Sequence, residues 1–328
     1  MRRATLLSAV LTVVVIALVI ALLVVALIAV PRWRARSQPP TTEAAGAAVP
    51  RIDGVVALPG PVEHIAPLPV VLVHGLFGFD RIGVPGARFD YFRGIAKHLE
   101  TLGCHAHAVR LPAAASVPDR ARELVAAIES LPHPRIDLIA HSLGGLDARY
   151  ALSHLGLARR VRSLVTVGTP HRGTPLADLA LRGPLVWARR IARALGLPLE
   201  ALEWLGTDAL ARFNAEVPDA PGVRYACVVG GMHERSSQVP LALAPAHAYL
   251  RRIAGPNDGL VPIASQYWGE TLAEIEADHF AQIGWRVAVR HTFDAASLYA
   301  FVVARLGDAT LTSHAGGPAA IAKPGAAG

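Results

Sequence analysis

The sequence predicts an α/β fold: a mainly parallel, doubly wound sheet with a helical lid, preceded by one transmembrane helix. Three observations predict it. Short apolar strands alternate with amphipathic helical stretches between residues 68 and 167, and that alternation builds a parallel sheet covered on both faces. The apolar strand Ile136–Ala140 runs almost directly into a helix. An unbroken apolar run occupies residues 4–30 ahead of both.

At 328 residues the chain has room for one large α/β domain with appendages. Apolar residues make up 52% and charged residues 17%, so a sizeable core is available. A formal charge of +7 raises the question of a nucleic-acid partner, and its distribution argues against one. Arg2, Arg3, Arg32, Arg34 and Arg36 are the charged residues of the first 40, leaving 27 basic against 25 acidic groups downstream. The positive excess thus flanks the apolar run, where phospholipid headgroups account for it better than DNA does. Cys104 and Cys227 fall in separate strand-like runs, follow no metal-binding pattern and are expected to be free thiols.

Ala4–Val30 is an uncharged run of 27 residues. As a helix it measures about 40 Å, against a hydrocarbon core of about 30 Å. A cleaved signal has a shorter apolar region followed by a small-x-small site, and the run ends Ala26-Leu27-Ile28-Ala29-Val30 without one. Residues 1–36 are therefore read as a single-pass anchor with its helix at about 4–30. The arginines on its two sides nearly balance, so the short N-terminal tail sets the orientation and places the catalytic domain outside the cytoplasm. Residues 37–66 read as a linker with an early strand at Gly54–Leu58. Residues 307–328, largely Gly, Ala and Pro, read as a disordered tail.

Within the domain, residues 67–306, the strand Leu68–Val73 leads into His74-Gly75-Leu76-Phe77-Gly78. A helix over Tyr91–Leu102 precedes a strand over Cys104–Leu111. Residues 117–130 have helical spacing, with Ala121, Leu124, Val125 and Ile128 on one face. The strand Ile136–Ala140, a helix from Leu143 to about His154 and the strand Val161–Val167 follow. Functional residues in such a sheet lie at the carboxyl ends of strands.

Ser142 stands at one of those ends, with Ala140 two residues before it and Gly144 two residues after. A nucleophile elbow needs small residues at both places because the helix crosses close to its strand, and this arrangement belongs to the α/β-hydrolase fold. A serine that merely caps the helix is the alternative; the preceding Ile/Leu-rich strand favours the nucleophile. An oxyanion formed there needs two preorganised N–H donors. One is expected from Leu143, next to the nucleophile, and the other from Leu76, in the loop that Gly75 and Gly78 allow to turn inward. No G-x-G-x-x-G accompanies that loop, which argues against a nucleotide site.

His74-Gly-Leu-Phe-Gly-Phe-Asp80, Phe89-Asp-Tyr-Phe-Arg-Gly-Ile95 and the Ser142 elbow occur in that order. Together they resemble the secreted bacterial triacylglycerol lipases of the Pseudomonas–Burkholderia type, over roughly residues 68–306. The resemblance implies an ester hydrolase whose glycine-flanked loop supplies the second oxyanion donor, in support of Leu76.

A serine nucleophile needs a histidine base and an orienting carboxylate, which follow it in this fold in the order Ser, acid, His. His154 lies at the far end of the helix behind Ser142 and His314 in the tail. His171 precedes any acid turn, and the resemblance implies a structural role for it. His233, His247 and His291 sit in no comparable loop. His279 falls near the end of the domain, where the base belongs. Asp258, in the turn Pro256-Asn-Asp-Gly-Leu-Val261, is the expected acid, and the family carries its acid in a similar turn. Asp278, adjacent to His279, is poorly placed to reach the imidazole.

The stretch at about 174–214 reads as helical segments broken by Gly183-Pro184 and Gly196-Leu197-Pro198. The resemblance places a mobile lid here; a rigid cap that narrows the pocket for small esters is the alternative. The resemblance also implies a calcium ion held by an Asp before the acid turn and another two residues past the base. Here Glu234 is the sole carboxylate of residues 232–257, and Ala281 occupies the second position. A hard cation needs several oxygens, so no calcium or other cofactor is expected. The reading is a serine carboxylic-ester hydrolase that acts on acylglycerols or similar lipid esters at a membrane. Two rivals are an acyltransferase or thioesterase with the same triad, and a catalytically silent membrane-bound interaction module, which predicts a damaged triad.

Overall fold

The computed structural model describes residues 51–52, 68–76, 81–84, 87–182, 200–232, 239–285 and 293–307. Among these, no helix is long and apolar enough to cross a membrane. The anchor helix expected at 4–30, the early strand at 54–58, the tail and the middle of the lid lie outside the described residues.

Seven parallel strands form one sheet in the order β1-β9-β8-β7-β6-β2-β5. They are β1 (Arg51–Ile52), β2 (Val70–Val73), β5 (Ala106–Ala108), β6 (Ile136–His141), β7 (Val161–Val167), β8 (Arg224–Gly231) and β9 (Glu270–Glu276). A separate antiparallel ribbon joins β3 (Arg81–Val84) to β4 (Ala87–Asp90). Every residue of β2 and β6 is buried, as expected where helices cover both faces of a parallel sheet and water reaches neither. The pleat then sorts the side chains. Val70, Leu72 and Ile139 join the core on one face, while Val71, Val73 and Leu138 join the core on the other.

The first of these faces is covered by α1 (Ile95–Thr101) and the C-terminal helix, the second by α2 (Val117–Glu129) and α3 (Gly144–His154). Helix α2 starts where Ser116 caps the Asp119 N–H and Pro118 occupies the first turn. Helix α1 begins four residues later than its sequence periodicity suggests. Gly94 is left-handed, with φ 72°, and breaks the helix there. Tyr91 and Phe92 are thereby released from the helix and buried beneath the sheet end. The strand expected over Cys104–Leu111 is also shorter, because β5 is an edge strand that pairs with β2 through three residues. Beyond it the chain turns until the Leu111 N–H meets His74 Nε2. Both cysteines are buried free thiols, one before the edge strand and one within β8.

The remaining helices are α4 (Pro175–Arg182), α5 (Glu200–Glu203), α6 (Thr207–Glu216), α7 (Ala244–Ala254), α8 (Ile263–Gln266) and α9 (Ala295–Gly307). The first three belong to the stretch at about 174–214 expected to be a lid. Asp178 of α4 accepts both the N–H and the hydroxyl of Thr207, which fastens α4 to the start of α6. Ala177, Ala201, Leu205 and Leu210 from this region pack with Leu143 and Leu146 in a third apolar cluster, against which Leu76 rests.

Candidate active site

Strand β6 delivers Ser142 directly into α3, and the turn is strained. Ser142 has φ 56°, the one positive value at a non-glycine residue among those described. Such a conformation costs on the order of 1–3 kcal/mol and persists only where the surroundings impose it. Here the Ser142 N–H donates to Val167 O at 2.9 Å, and Thr169 Oγ1 donates to Ser142 O at 2.8 Å. The close crossing explains the glycines. A Cβ on Gly144 would lie 2.6 Å from Val73 O, and one on Gly75 would lie 2.7 Å from Ser142 Cβ. Ser142 itself retains 8% exposure, whereas Ala140 and Leu143 beside it are fully covered. The Leu143 N–H has no acceptor among the described residues.

The loop after β2 is held from behind. Arg120, fully buried on α2, donates to His74 O at 2.8 Å and to Gly75 O at 3.3 Å, and its Nε donates to Asp147 Oδ2 at 2.8 Å. His74 Nε2 accepts the Leu111 N–H, which leaves its proton on Nδ1, facing Gly75 O. Burial, with Arg120 nearby, pushes the His74 pKa down to about 3, so the ring is neutral. The Gly75 N–H is taken by the Tyr91 hydroxyl. With these groups bound, half-buried Leu76 follows Gly75 in the chain. Phe77 and Gly78 lie outside the described residues.

His279 lies three residues past the end of β9, and its Nδ1 meets Asp258 Oδ2 at 2.7 Å. The two loops are also stitched by the His279 N–H, which donates to Asp258 O at 2.9 Å. Asp258 is fully buried. Its Oδ1 accepts the N–H groups of Leu260 and Val261, and its Oδ2 also accepts from Gln266 Nε2 and Gln282 Nε2. Asp278 instead caps the next turn, accepting the N–H groups of Phe280 and Ala281. The ring of His279 lies 4.5 Å from that of His141, the residue before Ser142. The structure thus brings Asp258 and His279 together beside the elbow, without a Ser142–His279 hydrogen bond among the described residues. Contacts of that kind often tighten only when substrate is bound.

The other histidines sort differently. His171 is buried, meets Thr166 Oγ1 at 3.0 Å and stacks on Trp268. Burial, then Arg149 and Arg172, hold its pKa well below 6.5. His154 packs against Tyr150 at the far end of α3, and His247 lies on α7. His233, His291 and His314 lie outside the described residues. Sequence reasoning assigned no role to Arg120, Tyr91, Gln266 or Gln282. Tyr91 stands inside a quoted motif, but nothing in the spacing pointed to the two glutamines.

At the position two past His279, Ala281 supplies no carboxylate, and Glu234 lies outside the described residues. Among the described residues, every hydrogen-bond partner of the Asp258 carboxylate is an N–H donor, and the Ala281 N–H is itself turned to Asp278. A hard cation requires converging oxygens.

A parallel sheet with a strained serine at a strand–helix elbow, and a His–Asp pair at neighbouring strand ends, defines an α/β-hydrolase. A family model described as a domain of unknown function (DUF7379) matches residues 70–188. A triacylglycerol lipase of Vibrio cholerae is 30% identical over 269 residues, covering 69% of this chain and 82% of that protein. Triacylglycerol lipase 2 of Saccharomyces cerevisiae is 32% identical over 213 residues, which span 60% of this chain and 63% of the yeast protein. Among solved structures, a mature Bacillus licheniformis lipase superposes with a TM-score of 0.58 at 26% identity, over 74% of this chain and 96% of that one. The chain belongs to the triacylglycerol lipase family of α/β-hydrolases, a family of carboxylic-ester hydrolases.

Proposed function

We propose that this chain is a serine carboxylic-ester hydrolase of lipase type, acting on acylglycerols or similar lipid esters through an acyl-enzyme. The observation that carries the proposal is the strained Ser142 elbow lying beside the His279–Asp258 pair, joined at 2.7 Å. As Ser142 Oγ bonds to the acyl carbon, His279 Nε2 takes the hydroxyl proton and the carbonyl π electrons move onto oxygen. That oxyanion faces the N–H groups of Leu76 and Leu143. Collapse breaks the ester C–O bond, and His279 returns the proton to the departing alcohol. Water then repeats the sequence, with its proton passing through His279, and releases the acid and free Ser142. Asp258 holds the imidazole in the required tautomer and stabilises its cation.

The acylglycerol assignment is supported by the names of the Vibrio and yeast relatives. The apolar residues of helices within the expected lid at 174–214 also share one apolar cluster with Leu143, against which Leu76 packs. In this reading residues 4–30 tether the domain to the outer face of a membrane, beside its lipid substrate, and no bound cation takes part.

A fluorophosphonate probe tests the core of the proposal. It is expected to label Ser142, with Ser142→Ala unlabelled and slower in turnover by about six decades. The same preparation is expected to hydrolyse p-nitrophenyl esters faster as the acyl chain lengthens from acetate. Failure to label Ser142 sinks the mechanism, and a maximum at acetate sinks the lipid substrate alone.

A further inference from the structure

We infer that Gln282 is a positioning residue: its neutral amide braces the carboxylate of the Asp258–His279 pair in place of a charged partner or a cation. The inference rests on the reading of those two residues as acid and base. Gln282 is fully buried, three residues past His279, and its Nε2 donates to Asp258 Oδ2 at 3.1 Å. Its path is cleared by two glycines at adjacent strand ends. A Cβ on Gly168, after β7, would lie 2.2 Å from Gln282 Oε1, and one on Gly230 in β8 would lie 2.2 Å from Nε2. Gly168 also has φ 59°, so a side chain there is disfavoured twice over.

Gln266 braces the same carboxylate from the other side. Its Nε2 lies 3.3 Å from Asp258 Oδ2 and 2.9 Å from Gly230 O, while its Oε1 accepts the Gly230 N–H. Amides suit this task because they add fixed dipoles without a second charge. A cation held against Asp258 would draw off the negative potential that the imidazolium needs.

The other end of the Gln282 amide reaches toward the nucleophile. The Tyr91 hydroxyl accepts the Gly75 N–H and has its own hydrogen left for His141 Nδ1, at 2.8 Å. That assignment puts the His141 proton on Nε2. His141 Nε2 and Gln282 Oε1 are both buried, and neither has a hydrogen-bond partner among the described residues. Burial and His279 disfavour charge on His141, whereas the His279 backbone and Gln282 are the groups that attract its proton. Hydrogen bonds thus join Gly75 to Tyr91 and Tyr91 to His141, and Gln282 to Asp258, while His141 Nε2 and Gln282 Oε1 face no hydrogen-bond partner between the two segments.

The test compares Gln282→Met with Gln282→Glu on a soluble short-chain ester, alongside Asp258→Asn. Methionine fills the channel without the donor, and kcat is expected to fall about ten- to hundredfold with KM within about twofold. Glutamate keeps the shape but turns an oxygen toward Asp258, and is expected to lose more. Glutamate retaining activity while methionine loses it would show that shape alone matters and overturn the inference, as would two variants with unchanged kcat. Asp258→Asn with normal turnover would instead overthrow the underlying reading of the site. The full wild-type protein gives an arm that needs no variant to fold. EDTA is expected to leave its Tm and kcat unchanged, and a fall in Tm that calcium reverses would overturn the inference.

Discussion

Two fully buried carboxylates flank the nucleophile, and the structure treats them in opposite ways. Asp147, on α3, faces the guanidinium of Arg120 at 2.8 Å. Burial raises its pKa to about 6 even though Arg120 pulls the other way. Asp258 faces N–H donors alone, one of them His279 Nδ1. The first arrangement is a scaffold. A full countercharge stabilises Asp147, and the same guanidinium holds the carbonyls of His74 and Gly75 that shape the oxyanion loop. The second keeps a charge available. Neutral donors fix the carboxylate in place but leave its field for the imidazolium that the proposed mechanism forms when His279 takes a proton. A buried charge needed for structure is cancelled at once, and one needed for chemistry is left to be cancelled in the transition state.

The largest effect expected from this contrast is on turnover. Asp258→Asn keeps the shape but removes the charge and favours the wrong tautomer, so kcat should fall by about 10⁴. Asp147→Asn should leave kcat within about tenfold, since its charge serves packing. Steady-state kinetics on one soluble ester decides, and equal losses in the two variants would erase the distinction.

Next in size is stability. Arg120→Met strands the Asp147 charge in the core and frees two loop carbonyls, at a cost of about 3–5 kcal/mol. The double variant with Asp147→Leu should recover part of that loss in urea unfolding. An Arg120→Met protein as stable as wild type would show that the ion pair does not hold the loop.

The third effect is the response to pH. His74, with its pKa lowered to about 3, and His141 and His171, held well below 6.5, stay neutral in the folded protein. Each charges in the unfolded chain as pH falls through 6.5. Their stabilisation is thus present above pH 6.5 and is lost as pH falls below it, toward about 3 for His74, at about 1.4 kcal/mol per pH unit for each histidine that stays neutral when folded. Asp147 acts in the opposite sense. Its raised pKa means that stability present below 3.8 is lost as pH rises to about 6, which offsets one of the three protons in that window. The net expectation is a urea midpoint that falls from pH 7 to pH 5. A flat midpoint would show these histidines to be protonated in the folded state.

Much of the fold could be read in advance because its periodicities are local. The strand Val161–Val167 has the expected bounds, and α2 starts at its Ser116 cap. Errors fell where a neighbour or a single backbone angle overrode the pattern, as at Gly94 and along the edge strand β5. The residues proposed for the site stand in recognisable local patterns: Ser142 at the end of β6, His279 just past β9, and Asp258 in the Pro-Asn-Asp-Gly turn. Arg120, Tyr91 and Gln282 were not legible, because their partners lie 46, 50 and 24 residues away in sequence.

The sequence by itself determined the alternation of strands and helices, the small residues around Ser142, and the turns that present Asp258 and His279. These follow from sterics and hydrophobic spacing within a few residues. Only the tertiary structure decided that Asp258 meets five N–H donors and Asp147 a cation, and that two glycines open a channel for the Gln282 amide. Hydrogen-bond partners and burial are properties of atoms brought together by packing, and no local pattern specifies them.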